Sequence, residues 1–266
     1  MCLLVLAWNT HPRYRLVVAA NRDEYHDRDA APLGLWAAPT DILAGRDLRA
    51  GGTWMGIDRR RRFGIVTNFR DLVRAPPEAP SRGGLIPRYL GGAAGPGDYL
   101  AALEPDAPDY GGFNLLLADG ESLWYASNRG TPFARELAPG VHGLSNEQLD
   151  TPWPKLLRVR RGFEEWLRNG GSAAGSELFT LLGDRTPATD EEGLPAPASR
   201  RTGSESSPPP SCCTRATARA APRYSRSSPP AAATSRNGAS TAPAPAPARP
   251  NTAWTPASGL APRADK

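Results

Sequence analysis

A cysteine stands directly after the initiator methionine, and this position gives it an unusual chemical option. If Met1 is removed, which a small second residue permits, Cys2 carries both a thiol and a free α-amine. The α-amine has an ordinary pKa of about 7.7–8.0 and acts as a base near neutral pH, while the thiolate is a strong nucleophile. Cys2 then combines a nucleophile and its base. Considered alone, the cysteine is better explained as a small buried side chain at the start of a strand.

A charged tetrapeptide is the first candidate partner of Cys2. Asn21-Arg22-Asp23-Glu24 follows an apolar run over residues 16–20, and Cys2 opens an apolar run over residues 3–8. The turn-like residues between the two runs predict a β-hairpin, which returns Arg22 and Asp23 to the side of Cys2. Asp23 would hold the α-ammonium and Arg22 would stabilise the thiolate. The alternative is a turn that carries only a surface ion pair.

Two asparagines are further candidates. Asn68 ends a predicted strand over residues 63–67, and Asn146 follows Gly143-Leu144-Ser145. Asparagine side chains at such positions can donate hydrogen bonds to a developing oxyanion. Asparagine also favours turns for its own conformational reasons, so each residue alone is a weak signal.

The elements that must position these residues are mostly strands in the first half and helices later. The dipeptide Asp119-Gly120 predicts a hairpin between apolar runs, and the basic residues 59–62 predict a solvated hairpin turn. Helices are predicted over residues 83–90, 98–103 and 176–182, and a longer one that begins at Thr151-Pro152 and stops at Asn169-Gly170-Gly171. This order predicts an α+β fold and not βαβ alternation.

The last 72 residues differ from the rest in composition. Residues 195–266 contain 14 of the 29 prolines and a single residue among Leu, Ile, Val and Phe, namely Leu260. Such a segment buries too little apolar surface to offset its ordering entropy, and we expect it to be disordered. Its ten basic and two acidic side chains carry +8, so the chain's +5 leaves −3 for residues 1–194. The high pI therefore predicts no nucleic-acid surface on the folded part.

The cysteines and the first apolar run indicate the compartment. The three cysteines, Cys2, Cys212 and Cys213, form neither a disulfide framework nor a zinc pattern, and no haem-attachment motif is present. The first apolar run is too short for a signal peptide or a membrane span. We therefore expect a cytoplasmic protein without stable membrane insertion and without a bound cofactor.

Several short motifs together carry a family resemblance over about residues 1–194. With them, the sequence resembles the NRDE family, which has the transport and Golgi organisation 2 protein as its eukaryotic member. The motifs are Met-Cys-Leu-Leu at the start, Ala20–Glu24 (Ala-Asn-Arg-Asp-Glu), Ala50–Gly56 (Ala-Gly-Gly-Thr-Trp-Met-Gly), Val66–Phe69, Gly112–Leu115, Asn128–Gly130, Gly143–Asn146 and Leu149–Leu157.

This resemblance implies an Ntn-hydrolase-like fold, a four-layer αββα sandwich similar in plan to the bile-salt hydrolases and penicillin V acylases. It implies that Cys2 is the nucleophile, with Arg22 and Asp23 as its neighbours and Asn68 and Asn146 as polar site residues. The reaction would be hydrolysis of a linear amide C–N bond in a small-molecule substrate.

A second hypothesis follows from the same resemblance, since family members are linked to Golgi organisation and to the handling of haem or lipid. The protein would then be a non-enzymatic carrier or trafficking factor. Cys2, or an exposed histidine such as His11, His26 or His142, would contact the haem or lipid ligand. Three scattered histidines are more often surface residues than ligands.

The chain departs from the resemblance after residue 194. In the family, the equivalent of Gly193-Leu194-Pro195 leads into Asp-Trp-Glu-Arg and then a strand His-Pro-Arg-Tyr-Gly-Thr-Arg-Cys-Ser-Thr. The chain has 30 arginines and two lysines, which suggests GC-rich codons. A shifted reading frame joins the last base of each codon to the first two bases of the next. In that frame, the codons for residues 201–205 permit Asp-Trp-Glu-Arg, and those for residues 213–224 permit the His-Pro-Arg-Tyr-Gly-Thr-Arg-Cys-Ser-Thr strand.

We therefore predict that a domain over residues 1–194, incomplete at its C-terminus, is followed by a frameshifted tail over residues 195–266. The alternative is a genuine Pro/Ala-rich basic tail.

Overall fold

The computed structural model describes residues 2–24, 27–38, 40–70, 76, 78–171 and 175–186. The predicted domain boundary and the whole predicted tail lie outside these ranges. The described part contains β1 (Leu3–Trp8), β2 (Leu16–Asn21), β3 (Ala30–Leu35), β4 (Ile42–Asp47), β5 (Met55–Asp58), β6 (Phe63–Asn68), α1 (Leu85–Gly91), α2 (Pro96–Leu103), β7 (Phe113–Ala118), β8 (Leu123–Ser127), β9 (Ala134–Glu136), β10 (Gly140–Ser145), α3 (Pro154–Arg168) and α4 (Ser176–Leu182). Short 3-10 helices occupy Arg82–Gly84 and Glu104–Asp109.

The smaller of two antiparallel sheets has β1 at its centre, in the order β10-β1-β2. All six residues of β1 are buried, which explains why the run is apolar without alternation. The predicted hairpin is confirmed, since Leu3 lies opposite Asn21 and Trp8 opposite Leu16. On its other side β1 pairs with β10, where Leu3 lies opposite Ser145. The sequence analysis did not predict that pairing.

The larger sheet has seven strands, and each pairs with the next along the chain from β3 to β9. The predicted hairpin at Asp119 is confirmed as β7–β8. The Asp119 carboxylate accepts hydrogen bonds from the backbone N–H groups of Glu121 and Ser122, as aspartate does in tight turns. Strand β3 was not predicted, because Pro32 and Gly34 interrupt its pattern at a register shift against β4.

Three apolar clusters define four layers. Between the sheets, Leu4 of β1 and Ile65 of β6 belong to one cluster. On the outer face of the larger sheet, a second cluster joins its strands to Ile86 of α1 and to α2. On the outer face of the smaller sheet, a third cluster joins Val5 to Phe163 of α3 and to α4. The order is helix, sheet, sheet, helix, and the expected four-layer αββα sandwich is confirmed.

The longest helix begins two residues later than predicted. Pro154, and not Pro152, occupies the first turn of α3, where its missing N–H costs no hydrogen bond. The helix ends at Asn169 as predicted, and Gly170 follows with a φ of 81°. Its buried face consists of Pro154, Leu156, Val159, Phe163 and Trp166. None of the helices in the described ranges is long and apolar enough to cross a membrane.

The inter-sheet core is less completely covered beside β2 than beside β1. Among the described residues, β2 pairs only with β1, so its outer edge carries no strand. Val18 and Ala20 of β2 and Met55 and Ile57 of β5 pack against the inter-sheet cluster but are only partly buried. The side chains of β1 are all buried. In the described part of the chain, the sandwich is therefore closed along β1, while no strand lies beside the outer edge of β2.

Candidate active site

Cys2 lies at one end of the space between the two sheets. It directly precedes β1, where Leu4 and Leu6 face the inter-sheet core. Because side chains alternate along a strand, Cys2 belongs to the same face. Its thiol is half-buried and donates a hydrogen bond to the backbone carbonyl of Asp23, with 3.8 Å between Sγ and O.

The strand registers bring the other predicted residues to Cys2. Leu3 lies opposite Asn21 on β2 and opposite Ser145 on β10, so one further step places Cys2 between Arg22 and Asn146. Ser145 also links the end of β10 to Cys2, because its hydroxyl donates a hydrogen bond to the Cys2 carbonyl at 3.1 Å. Four of the five predicted site residues therefore lie together: Cys2, Arg22, Asp23 and Asn146.

Arg22 is held by residues of the opposite sheet as well as by its neighbour. Its guanidinium lies 4.3 Å above the ring of Trp54 and contacts the carboxylates of Glu24 at 3.3 Å and Asp47 at 3.9 Å. Asp47 is itself fixed by Arg28 at 2.7 Å. Arg22 is therefore an oriented cation and not a freely moving surface side chain.

The electrostatics around Asp47 favour its charged form. Burial works to raise the pKa of this carboxyl. Hydrogen bonds from the Ala50 N–H and from Arg28 outweigh burial and hold the pKa below its usual value. Asp47 is therefore an anion at neutral pH, where its carboxylate contacts the Arg22 guanidinium at 3.9 Å.

Opposing influences act on the Cys2 thiol. Burial raises its pKa above the usual value. The positive amino terminus of the chain opposes this change, Glu24 adds to it, and Arg22 and Arg82 lower the pKa. The net effect keeps the sulfur protonated near neutral pH while Met1 is in place, so a base must remove its proton before it can act as a nucleophile.

Asn146 sits in a strained loop that is tied to both sheets. Its φ of 29° lies in the left-handed region, which asparagine tolerates better than most residues. The carbonyl of Asn146 accepts from the N–H of Arg70 at 2.6 Å, just beyond β6. On the next residue, the Glu147 carbonyl accepts from the amide of Asn114 at 2.7 Å. The loop therefore has a defined position beside Cys2.

Asn114 is a buried residue whose hydrogen bonds hold this loop in place. Its side-chain oxygen accepts from the hydroxyl of Tyr125 at 2.7 Å, and that hydroxyl accepts from the N–H of Leu149. Asn114 has no exposed surface. In the sequence, Asn114 stands out only as part of the motif Gly112–Leu115, although a buried asparagine usually takes part in such a hydrogen-bond network.

Asn68 is the predicted residue that the structure does not bring into this group. It is exposed and pairs with Phe113, which belongs to the core on the helix side of the larger sheet. Strand alternation therefore places Asn68 on the face away from Cys2, and Thr67 on the inter-sheet face. The Thr67 hydroxyl is buried and has no hydrogen-bond partner among the described residues.

Arg82 is a site residue that sequence reasoning missed. Its guanidinium donates to the Gly112 carbonyl at 2.8 Å, and its charge lowers the pKa of Cys2. The residue after Arg82, Gly83, lies so close to Gly52 that a Cβ on Gly52 would be 2.3 Å from the Gly83 carbonyl oxygen. This close packing fixes the position of Arg82. The Gly51-Gly52 pair is the feature of the sequence that could have indicated this contact, since adjacent glycines often allow two backbone segments to approach closely.

The two described histidines, His11 and His142, have other partners. The prediction that His11 is exposed is wrong: it is 3% exposed, and its Nδ1 accepts from the N–H groups of Arg13 and Tyr14. His142 is half-buried and contacts Asp150 at 2.9 Å. His26 lies outside the described residues. Within the described part, no group of three or more His, Cys, Asp or Glu side chains is placed to hold a metal ion.

Comparisons with known proteins agree with the motifs. The model of the family "Transport and Golgi organisation 2" matches residues 1–210. The Mus musculus transport and Golgi organization 2 homolog is 35% identical over 217 residues, which cover 77% of this chain and 78% of that protein. The Homo sapiens homolog is 33% identical over the same shares, and the Drosophila melanogaster protein is 25% identical over 68% and 70%.

Among solved structures, the Caenorhabditis elegans N-acylethanolamine-hydrolyzing acid amidase ortholog is similar, with a TM-score of 0.46 and 8% identity over 69% of this chain and 86% of that chain. The family match covers well over half of the chain, and the mouse and human proteins exceed 30% identity over more than two thirds of it. The chain therefore belongs to the transport and Golgi organisation 2 family.

Proposed function

We propose that the protein is an N-terminal-cysteine hydrolase that cleaves a linear amide C–N bond in a small molecule. One observation carries the proposal: the strand registers place Cys2 between Arg22 and Asn146, and its thiol contacts the Asp23 carbonyl. A thiol, a cation and an amide donor at one end of the inter-sheet core are the groups that acyl transfer requires. Removal of Met1 would add the base.

The reaction would proceed in two stages. In the first, the α-amine of Cys2 takes the thiol proton, and the sulfur attacks the substrate carbonyl. The C–N bond then breaks, the leaving nitrogen receives the proton from the α-ammonium, and an acyl thioester remains. In the second, the amine takes a proton from water, the hydroxide attacks the thioester, and the C–S bond breaks with its electron pair going to sulfur. The α-ammonium then returns its proton to the sulfur, which restores the thiol and the free amine. The products are an amine and a carboxylic acid.

The surrounding residues would have separate roles. Arg22 would stabilise the thiolate, and Asp23 would hold the α-ammonium in place. We assign the oxyanion donor to Asn146, because Asn68 lies on the helix-facing side of β6. Since burial raises the thiol pKa, the intramolecular base does more for the rate here than it would for an exposed cysteine.

Mass spectrometry tests the proposal on the full chain. We expect the intact mass to show loss of Met1, and incubation with a fatty-acyl p-nitroanilide to release p-nitroaniline and to leave an acyl adduct on the peptide that begins with Cys2. A Cys2→Ala chain should form no adduct. Retained Met1, or a processed Cys2 that stays unmodified while the substrate is consumed, would overturn the mechanism.

The second candidate is a non-enzymatic carrier or trafficking factor for haem or lipid on the same fold. The names of the curated relatives, which refer to transport and Golgi organization, support only the trafficking part of this candidate. The discriminating measurement is a titration of the chain with haem, followed by absorbance. Tight haem binding together with a processed but unreactive Cys2 would favour the carrier. The proposed compartment is the cytoplasm in both cases.

A further inference from the structure

The motif Gly51-Gly52-Thr53-Trp54 takes no part in the proposed reaction, yet Trp54 contacts one of the site residues. Trp54 directly precedes β5 of the larger sheet, while Arg22 follows β2 of the smaller sheet. The Arg22 guanidinium lies 4.3 Å from the centre of the Trp54 ring. This contact therefore spans the two sheets at the Cys2 end of the sandwich.

The Trp54 ring also lies against Gly45 of β4. A Cβ added to Gly45 would lie 2.7 Å from Cη2 and 2.9 Å from Cζ2 of Trp54, closer than real Cβ contacts. The absence of a side chain at Gly45 therefore gives the ring its place, with the guanidinium of Arg22 over the same ring. Any side chain at position 45 would push the ring.

The carboxylates complete the surroundings of Arg22. Glu24 and Asp47 contact its N–H groups at 3.3 and 3.9 Å, while Trp54 takes one face of the planar cation. An arginine that stacks on a ring keeps its in-plane N–H groups available for hydrogen bonds. The ring therefore restricts the position of the guanidinium more than the two carboxylates would do alone.

We propose that Trp54 is a positioning residue that fixes Arg22 beside Cys2 and so governs how readily the thiol ionises. The proposal rests on the proposed function, in which the Cys2 thiolate is the reactive group and Arg22 stabilises it. Gly45 contributes to the same positioning, because a side chain there would displace the Trp54 ring.

The test measures the pH dependence of Cys2 alkylation by iodoacetamide on the full chain, followed by mass spectrometry of the N-terminal peptide so that Cys212 and Cys213 do not interfere. The variants are Trp54→Ala, Trp54→Phe, Gly45→Ala and Arg22→Gln. Trp36→Ala is the matched control, because Arg46 stacks over Trp36 at 4.9 Å in another pair of the same kind. Circular dichroism establishes that each variant folds.

We expect Trp54→Ala to move the midpoint of the alkylation profile upward by about half a pH unit, in the direction of Arg22→Gln. Trp54→Phe should retain a ring face and move it less, Gly45→Ala should move it measurably, and Trp36→Ala should leave it in place. Combining Trp54→Ala with Arg22→Gln should add nothing to Arg22→Gln alone, because Trp54 acts through Arg22.

Additive shifts, or an unchanged profile in both Trp54 variants and in Gly45→Ala, would overturn the proposal. If Trp54→Ala does not fold, Trp54→Phe and Gly45→Ala still decide the matter. The outcome is separate from the proposed function, because a coupled alkylation profile without substrate turnover would reject the hydrolase and keep the Trp54–Arg22 coupling.

Discussion

Asn114 shows how the site depends on a residue that does not touch Cys2. Its amide connects the Glu147 carbonyl to the Tyr125 hydroxyl inside the protein. The sequence alone could place Arg22 and Asp23 near Cys2, because a short hairpin fixes local register. It indicated Asn146 only through the family resemblance, because that position depends on a strand that pairs with β1 across more than a hundred residues.

Replacing Asn114 with Leu should destabilise the protein by about 2–3 kcal/mol, because the Glu147 carbonyl and the Tyr125 hydroxyl would both lose a partner. Tyr125→Phe leaves the Asn114 side-chain oxygen and the Leu149 N–H without a partner, so it should cost a similar amount. Urea unfolding measures both free energies. A loss below about 1 kcal/mol in both variants would contradict a supporting role for this network.

At the scale of elements, the sequence predicted local pairing well and distant pairing poorly. β6 and α4 have the predicted positions because their apolar patterns are continuous. β10, with the sequence Gly-Val-His-Gly-Leu-Ser, has too few apolar residues to indicate a strand, and its partner β1 lies far away in the chain. Tertiary context, and not local preference, makes it a strand.

The basic turn between β5 and β6 is a second element in which the structure differs from the prediction. It was predicted to be solvated, but Arg62 is 6% exposed. Arg62 pairs with the buried Asp58 at 2.8 Å and donates to the carbonyls of Tyr89 and Leu90 at the end of α1. The sequence could not show this, because a run of arginines does not indicate which one meets a helix terminus. Arg62 therefore anchors α1 to the larger sheet.

Arg62→Gln should accordingly lower the free energy of unfolding by about 3–5 kcal/mol, because Asp58 would remain buried without its ion pair. The matched control is Arg59→Gln, since Arg59 pairs with Asp41 on the surface, where both side chains are more than half exposed. That change should cost less than about 1 kcal/mol. Guanidinium unfolding of both variants is the measurement, and similar losses would contradict the anchoring role of Arg62.

At the scale of the whole molecule, the two sheets are unequal across the described residues, with three strands facing seven. The open edge of β2 and the partly buried Val18 and Ala20 leave room for a further strand beside the smaller sheet. The described chain ends next to that edge, because the Leu182 carbonyl accepts from the side-chain amide of Asn21 at 2.8 Å. The proposed frameshift would have removed a strand suited to this place.

Resequencing the gene should therefore find an insertion or deletion near codons 190–201. A chain with the restored frame should unfold at a higher temperature than the present chain, because the added strand would cover apolar surface beside β2. An intact reading frame in the native transcript would refute the frameshift and leave the Pro/Ala-rich tail as a genuine segment.

The open edge also determines the order in which the site comes apart. Amide protons on the outer side of β2 have no strand partner among the described residues, whereas β1 is paired on both sides. Hydrogen–deuterium exchange should be faster along β2 than along β1. Local opening would then release Arg22 and Asp23 before it releases β1, so Cys2 would lose its charged neighbours while its own strand is still folded.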